Sequence, residues 1–496
     1  MKPIHVVTIS SEMVPFAKTG GLGDVCGALP VALEAHGCRC SAFLPAYRSV
    51  LRSGLAIEPT PLTFTIYIAG RHVACRVLKA TYPGSNVDVY LIDQPQYFDR
   101  DGLYSDRAGE YRDNCERFSF YCRAVVEAID RLGLEIDIAH CHDWQTGLIP
   151  AYIKARRNQY AWMNNVKSVM TIHNLAYQGR FWHLDMPLTG LDWKYFNWEQ
   201  MEFHGDLNLM KTGIVFADTV TTVSPTYARE ITEPELGCGL DSILKGRGQD
   251  LVGIVNGVDY TLWDPSTDCH LPQNYSVENW RDGKSVCKAQ LQAELGLEVR
   301  DEVPLLGIVS RLADQKGWDL IIPLLKDWAR SRDVQWAILG TGDPRYEQQL
   351  QALAQEHPTR VGVRLEFSEA VAHRIEAACD MFLMPSRYEP CGLNQLYSLK
   401  YGSVPVVTST GGLADTVVDA SEENLAKGQA TGFRFDEYSQ VGLDSALHRA
   451  IDVFRHNPSR WGYIVEAGMR DDWSWGQSAK HYKEIYDRVM HREVAC

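Results

Sequence analysis

Between Leu305 and Ser409 five short apolar runs follow one another: LLGIVS (305–310), VQWAILG (334–340), VRLEFS (363–368), DMFLMPS (380–386) and VPVVTS (404–409). Each ends in serine or glycine, and stretches with helical spacing, such as Arg345–Ala354, fill the gaps. Continuous apolar runs suit strands covered on both faces, and their alternation with helices gives a parallel sheet. The stretch predicts a doubly wound α/β domain.

The first half carries the same pattern less cleanly. Ile4–Ser10 is a β-rich run, followed by a glycine-rich loop and a helical segment over Asp24–His36 that Gly37 closes. Ile136–His140 runs into CHDWQTG, and Ser168–Ile172 runs into HNLAYQG. IVNGVD, around residues 252–258, closes the last such unit, and the polar stretch DPSTDCHLPQNYS follows. These features place a domain boundary near Val258, giving domains 1–258 and 259–470. A final segment, 471–496, has Trp475, Ala479, Tyr482, Ile485 and Val489 at helical spacing, so one amphipathic helix is expected there.

With 496 residues the chain exceeds the roughly 250–300 at which one core stops growing, in keeping with two domains. Apolar residues make up 45% and charged residues 23%, which excludes a disordered or fibrous chain. The net charge of −14 repels a phosphate backbone, so nucleic acid is not expected as the main partner. No run approaches the roughly 18–20 apolar residues of a membrane span, and MKPIHVVTISSEM lacks a signal region. A cytoplasmic protein with no membrane partner is expected. Thirteen scattered cysteines, without a two-residue gap between Cys38 and Cys40, read as reduced thiols.

In parallel α/β sheets ligands bind beyond the carboxyl ends of the strands, where the unusual polar clusters of this chain fall. Lys18, Gly20, Gly21 and Gly23 form a loop that either seats an anion or serves tight helix packing. GGLGDVCG lacks the GxGxxG spacing of a dinucleotide fingerprint. In SRLADQKG, Arg311 and Lys316 follow a strand and can clamp a diphosphate leaving group, or can be a solvated basic loop. Glu389, in SRYEPCGL, stands before an expected helix start, as a sugar-binding carboxylate or a cap. His140, His142 and Asp143 could be imagined on a metal, but no further ligand is apparent, and strand-end hydrogen bonding is preferred. His173 and Asn174 hold the same place in the next unit. The rings Trp182, Trp193, Tyr195, Phe196 and Trp198 read mostly as packing, with sugar stacking as the alternative.

Taken together, SSEMVPFAKTGGLGDV, HDWQTGL, TIHNLAYQG, NGVD, SRLADQKG, GTGDP, PSRYEPCGLNQLYSLKYG and STGGLADTV resemble bacterial glycogen synthases and plant-type starch synthases, over about Ser10 to Trp475. The resemblance implies a GT-B architecture: two Rossmann-like doubly wound domains facing each other across a cleft, with the C-terminal helix crossing back to the first. It implies a retaining glucosyltransferase that adds glucose from ADP-glucose to the non-reducing end of an α-1,4-glucan and releases ADP, with no metal or other cofactor. The first domain would be the acceptor side and the second would bind ADP-glucose. Lys18, Gly20 and Gly21 would lie against diphosphate and glucose. Arg311 and Lys316 would stabilise the leaving phosphate, Glu389 would stand near the donor sugar, and Asp143 and His173 would hold glucose hydroxyls. Glu12, Asn256, Cys391, Gly392, Leu393, Thr410, Gly411 and Gly412 match further substrate-binding positions. Position 397 is Tyr397, where many related transferases carry a second glutamate, and glycogen and starch synthases share that change. A bacterial or cyanobacterial-like cytoplasm is the setting implied, or a plastid stroma for a processed plant-type chain. The rivals are a transferase of the same architecture using UDP-glucose and a non-catalytic glucan-binding scaffold.

Overall fold

The computed structural model describes residues 2–107 and 109–491. The chain forms two compact units: the first runs to Gly257 and resumes at Trp475, and the second is Val258–Ser474. The return to the first unit comes at Trp475 and not at Asp471. Residues 471–474 stay with the second unit because Val258 N–H donates to the Trp473 carbonyl at 2.7 Å and Trp473 N–H to the Tyr260 hydroxyl at 3.0 Å.

The first unit is built on β1 (His5–Ile9), α1 (Gly21–Ala35), β2 (Arg39–Pro45), β3 (Glu58–Ile68), β4 (Arg71–Thr81) and β5 (Asp88–Asp93). It continues with β6 (Ile138–His142), β7 (Lys167–Ile172), β8 (Thr219–Thr222) and β9 (Leu251–Gly253). Among the described residues these strands make one sheet, ordered β9-β8-β7-β6-β1-β2-β5-β4-β3. Pairing is parallel from β9 to β5, and β4 runs antiparallel to both of its neighbours. The β3–β4 hairpin turns at Ala69–Gly70 and alternates buried Phe64, Ile66 and Ile68 with exposed residues. β1 and β6 are fully buried, as central strands require.

The C-terminal helix α2 (Trp475–Met490) lies against α1 and the sheet. Trp475, Ala479, Tyr482, Ile485 and Val489 are all buried, packed with Val6, Val25, Leu29 and Leu33. Burying a large apolar side chain contributes about 2 kcal/mol, so this stripe supplies a substantial share of the unit's stability.

The second unit's strands are β10 (Leu305–Val309), β11 (Gln335–Leu339), β12 (Val361–Arg364), β13 (Met381–Met384), β14 (Val404–Thr408) and β15 (Phe433–Phe435). All pair in parallel, in the order β12-β11-β10-β13-β14-β15, the doubly wound arrangement with its reversal between β10 and β13. One of the five apolar runs is displaced from its strand: β12 covers Val361–Arg364, two residues before VRLEFS, and Phe367 is 89% exposed. Gly362 masks this strand in the sequence, yet a Cβ there would stand 2.7 Å from that of Leu295, so close packing selects glycine.

Among the described residues no helix is long and apolar enough to cross a membrane. The twelve described cysteines are free thiols, ten of them buried.

Candidate active site

Each sheet has one point where neighbouring parallel strands send the chain in opposite directions, and the polar clusters gather at those two points. In the first unit the pair is β1 and β6, with Ile9 beside Cys141. The loop after β1 is organised by Glu12, which is buried. Its carboxylate accepts hydrogen bonds from the Thr19 N–H (2.5 Å), the Gly20 N–H (3.2 Å), the Thr19 hydroxyl (2.6 Å) and the Tyr104 hydroxyl (2.7 Å). Hydrogen bonds to a charged group are worth about 1.5–3 kcal/mol each, so the loop is firmly held. The amides of Thr19 and Gly20 are therefore committed to Glu12, which narrows the anion-seat reading of this loop. What remains open is the space above Gly20, where a Cβ would meet nothing within 4 Å. Lys18 is exposed and pairs with Asp24 at 2.7 Å. Such exposed pairs contribute at most about 1 kcal/mol, so the ammonium can turn to another anion at little cost.

Asp143 follows β6 with φ of +57° and ψ of −179°, a sparsely populated region that costs a non-glycine residue about 1–3 kcal/mol. Its carboxylate accepts the backbone N–H of His173 at 2.8 Å. Burial pushes its pKa up to about 7, against the lowering effect of the His173 and Asn174 amides. His140 and His142 share a strand face, as their spacing predicts, with ring centroids 4.1 Å apart. His140 Nδ1 meets the Tyr486 hydroxyl at 2.8 Å and its Nε2 the Thr171 hydroxyl at 2.6 Å. His142 Nδ1 meets His173 Nε2 at 3.0 Å. Burial lowers the pKa of His140 and of His173 to about 3 and that of His142 well below the ordinary value, so all three rings are neutral near pH 7. Their ring nitrogens face hydroxyls and one another. Among the described residues the trio with converging ligand atoms is Asp268, Cys269 and His270. There the Asp268 carboxylate already accepts from His373, Tyr401 and the His270 N–H. Asn256 is buried, and its Oδ1 has no partner among the described residues.

In the second unit the reversal lies between β10 and β13, where Leu306 pairs with Met381. Lys316 sits in a short turn after β10, and Glu389 follows β13. Their side chains meet at 2.5 Å, both largely buried, and the Ser386 hydroxyl donates to the same carboxylate oxygen at 3.0 Å. Arg311 is exposed, touching Gln315 at 3.3 Å. The backbone around Glu389 is locked from behind. Gly412 N–H donates to the carbonyls of Glu389 and Pro390, both at 3.1 Å. A Cβ on Gly411 would stand 1.9 Å from the Glu389 carbonyl oxygen, and one on Gly412 2.0 Å from that of Cys391. Only glycine allows this approach. Gln395 closes the turn by donating to the carbonyls of Cys391 (3.0 Å) and Gly392 (3.1 Å). Thr410, Cys391 and both glycines are buried, and Leu393 is half-buried before the helix Asn394–Tyr401. Tyr397 stacks on Trp263, centroids 3.8 Å apart, as a packing residue.

The structure thus collects the expected residues in two groups, one per unit: Glu12, Lys18, Gly20, Gly21, Asp143 and His173, and separately Arg311, Lys316, Glu389 and the Cys391–Leu393 and Thr410–Gly412 segments. Three residues that sequence reading did not single out hold these groups in place. Ser386 and Gln395 lie inside a recognised motif, whereas Tyr104 stands 92 positions from its partner with no local signal. The aromatic run departs from the packing expectation: Trp182, Trp193 and Trp198 are 60%, 48% and 74% exposed.

Residues 5–246 match the family described as starch synthase catalytic domain, and residues 296–460 match glycosyl transferases group 1. The chain is 50% identical to a glycogen synthase of Rhodopirellula baltica over 98% of both chains. It is 47% identical to one of Anaeromyxobacter dehalogenans, over 97% of this chain and 99% of that one. Among solved structures, the catalytic domain of starch synthase IV from Arabidopsis thaliana, bound to ADP and acarbose, matches with a TM-score of 0.89 and 32% identity, covering 99% of this chain and all of that one. A sucrose-phosphate synthase from Thermosynechococcus elongatus matches at TM-score 0.58 and 17% identity over 98% of this chain and 99% of that one, a likeness of fold alone.

Proposed function

Because the chain belongs to the glycogen and starch synthase family of glucosyltransferases, we propose that it uses ADP-glucose, adding each glucose to the non-reducing end of an α-1,4-glucan with retention of configuration and releasing ADP. The observation that carries this reading is the Lys316–Glu389 pair at the strand reversal of the second unit, a half-buried ammonium and a buried carboxylate held 2.5 Å apart on a locked turn. In it, Lys316 and Arg311 stabilise the charge that develops on the departing diphosphate, and Glu389 stands by the donor sugar. Lys18, Gly20 and Gly21 take the diphosphate and glucose, and Asp143 and His173 hold glucose hydroxyls. Glu12 holds the loop that carries Lys18. Asn256, Cys391, Gly392, Leu393, Thr410, Gly411 and Gly412 bound the substrate space.

The bond between glucose C1 and the β-phosphate oxygen breaks as C1 bonds to the acceptor hydroxyl oxygen, and the hydroxyl proton passes to the leaving phosphate. With Tyr397 packed on Trp263 in place of a second carboxylate, front-face transfer suits the residues present. Fixed cations serve an oxocarbenium-like transition state without a metal. The starch synthase IV structure with ADP and acarbose supports a nucleotide and a glucan as ligands. We place the activity in a bacterial cytoplasm, in keeping with the relatives. Incubation of a maltooligosaccharide of one length with ADP-glucose tests the reading: a ladder of longer α-1,4-linked chains is expected, unchanged by a chelator. Unextended primer, β-linked product or a trapped glucosyl–carboxylate adduct would contradict it.

A further inference from the structure

The line of imidazoles behind the first group does more than fill the core. His142 is fully buried; its Nδ1 lies 3.0 Å from His173 Nε2, and its own Nε2 has no partner among the described residues. The His142 ring packs against His140 at a tilt of 36° with centroids 4.1 Å apart, and the Tyr486 and Thr171 hydroxyls grip His140 at its two nitrogens. Neither His142 nor His173 can turn freely, since the main chain of His173 is tied to the Asp143 carboxylate.

A neutral imidazole carries one N–H and one bare nitrogen, so the contact between the two rings has two versions. If His173 Nε2 donates, His142 Nδ1 accepts and its hydrogen moves to Nε2, leaving a buried N–H without an acceptor. That costs about 1–3 kcal/mol, and orphaned buried N–H groups are rarer than under-used acceptors. If His142 Nδ1 donates, only a lone pair at its Nε2 is left unused. The second version is favoured, and it leaves His173 with a bare Nε2 and its hydrogen on Nδ1, the ring nitrogen not engaged with His142.

We propose that His142 is a positioning residue that fixes His173 as the Nδ1–H tautomer, so that the half-buried ring presents a hydrogen-bond donor to a hydroxyl of the donor sugar. Its second half rests on the reading that places His173 at the sugar; its first half does not. An outer partner that sets the tautomer of a functional histidine is a recurrent device.

The test is ring-15N histidine labelling of the full chain, with two-bond 1H–15N spectra that tell protonated from bare imidazole nitrogens. His173→Gln and His142→Asn assign the two residues. The expected wild-type spectrum shows His173 and His142 both protonated at Nδ1. His142→Phe keeps a ring but removes the donor, so His173 shifts toward Nε2 protonation, and kcat/KM falls about tenfold, the equivalent of one hydrogen bond. His142→Asn places an amide N–H near the same point, retains the Nδ1–H form of His173 and stays within about threefold of wild type. A wild-type His173 protonated at Nε2 overturns the inference without any variant having to fold, as does a His142→Phe protein with unchanged tautomer and rate. Because the spectra need no substrate, failure of the ADP-glucose reading is read separately in the turnover assay.

Discussion

Replacing Gly20 by alanine separates what the loop does for folding from what it does for substrate. Gly20 is the N-cap of α1 with φ of −160° and ψ of −167°, extended backbone that alanine adopts, and an added Cβ has nothing within 4 Å. The folded state therefore loses little beyond the weaker capping of alanine, about 1 kcal/mol, or a melting shift of about 3 °C. If the open space above Gly20 belongs to the donor, a methyl projecting about 1.5 Å into it displaces the sugar nucleotide by about 1 Å. Misplacement of that size costs about 100-fold in rate, or about 2.7 kcal/mol. The assay is kcat/KM for ADP release alongside thermal melting, with Gly37→Ala as control. Gly37 has φ of +78° and equally open surroundings at the other end of α1, so that variant loses about 1 kcal/mol of stability and no activity. A Gly20→Ala protein with activity within twofold of wild type would refute the assignment of that space. A melting drop above about 10 °C would show instead that the loop is structural.

The Lys316–Glu389 pair gives a second expectation: Lys316→Met leaves the buried Glu389 carboxylate unmatched and costs about 3 kcal/mol, Glu389→Gln leaves only a half-buried ammonium and costs less, and the double variant recovers part of the larger loss. Denaturant midpoints of the three variants check this, and additive losses would count against it. The pH dependence follows from opposed shifts. His140 is neutral in the fold down to about pH 3 but protonates near 6.5 when unfolded, so its contribution is lost as pH falls from about 6.5 to 3, up to about 5 kcal/mol. His173 acts in the same sense, and Asp143, raised to about 7, acts oppositely, gaining as pH falls through 7 toward 4. Urea midpoints from pH 7.5 to 5 are expected to fall in the wild type and to fall less in His140→Gln; parallel curves would contradict the assignment. A chain ending at Arg470 exposes Val6, Val25, Leu29 and Leu33 under the missing helix and melts lower; an unchanged melting curve would show that the helix is dispensable.

Much of this fold was readable from local pattern. The runs at 305–310, 334–340, 380–386 and 404–409 contain β10, β11, β13 and β14 because buried parallel strands are uninterrupted apolar stretches. The stripe from Trp475 to Val489 is buried as its spacing requires. β12 was displaced by a glycine that packs on Leu295, and the β3–β4 hairpin escaped notice because its alternating polar face breaks the apolar run. At the site, Lys316 and Glu389 were legible as strand-end charges, but their ion pair is a contact across 73 positions. Glu12 illustrates the remaining limit: its four hydrogen bonds take up the amides that a glycine-rich loop offers to an anion, which no spacing rule reveals.

The central claim, glucosyl transfer from ADP-glucose to a glucan by this residue set, is tested most directly by nucleotide release from ADP-glucose and UDP-glucose, each with and without maltooligosaccharide. Wild type, Glu389→Ala and Lys316→Ala are measured together. The account requires primer-dependent release of ADP, much weaker release of UDP, and loss of both in the two variants. Release that prefers UDP-glucose, that ignores primer, or that survives either substitution would contradict it.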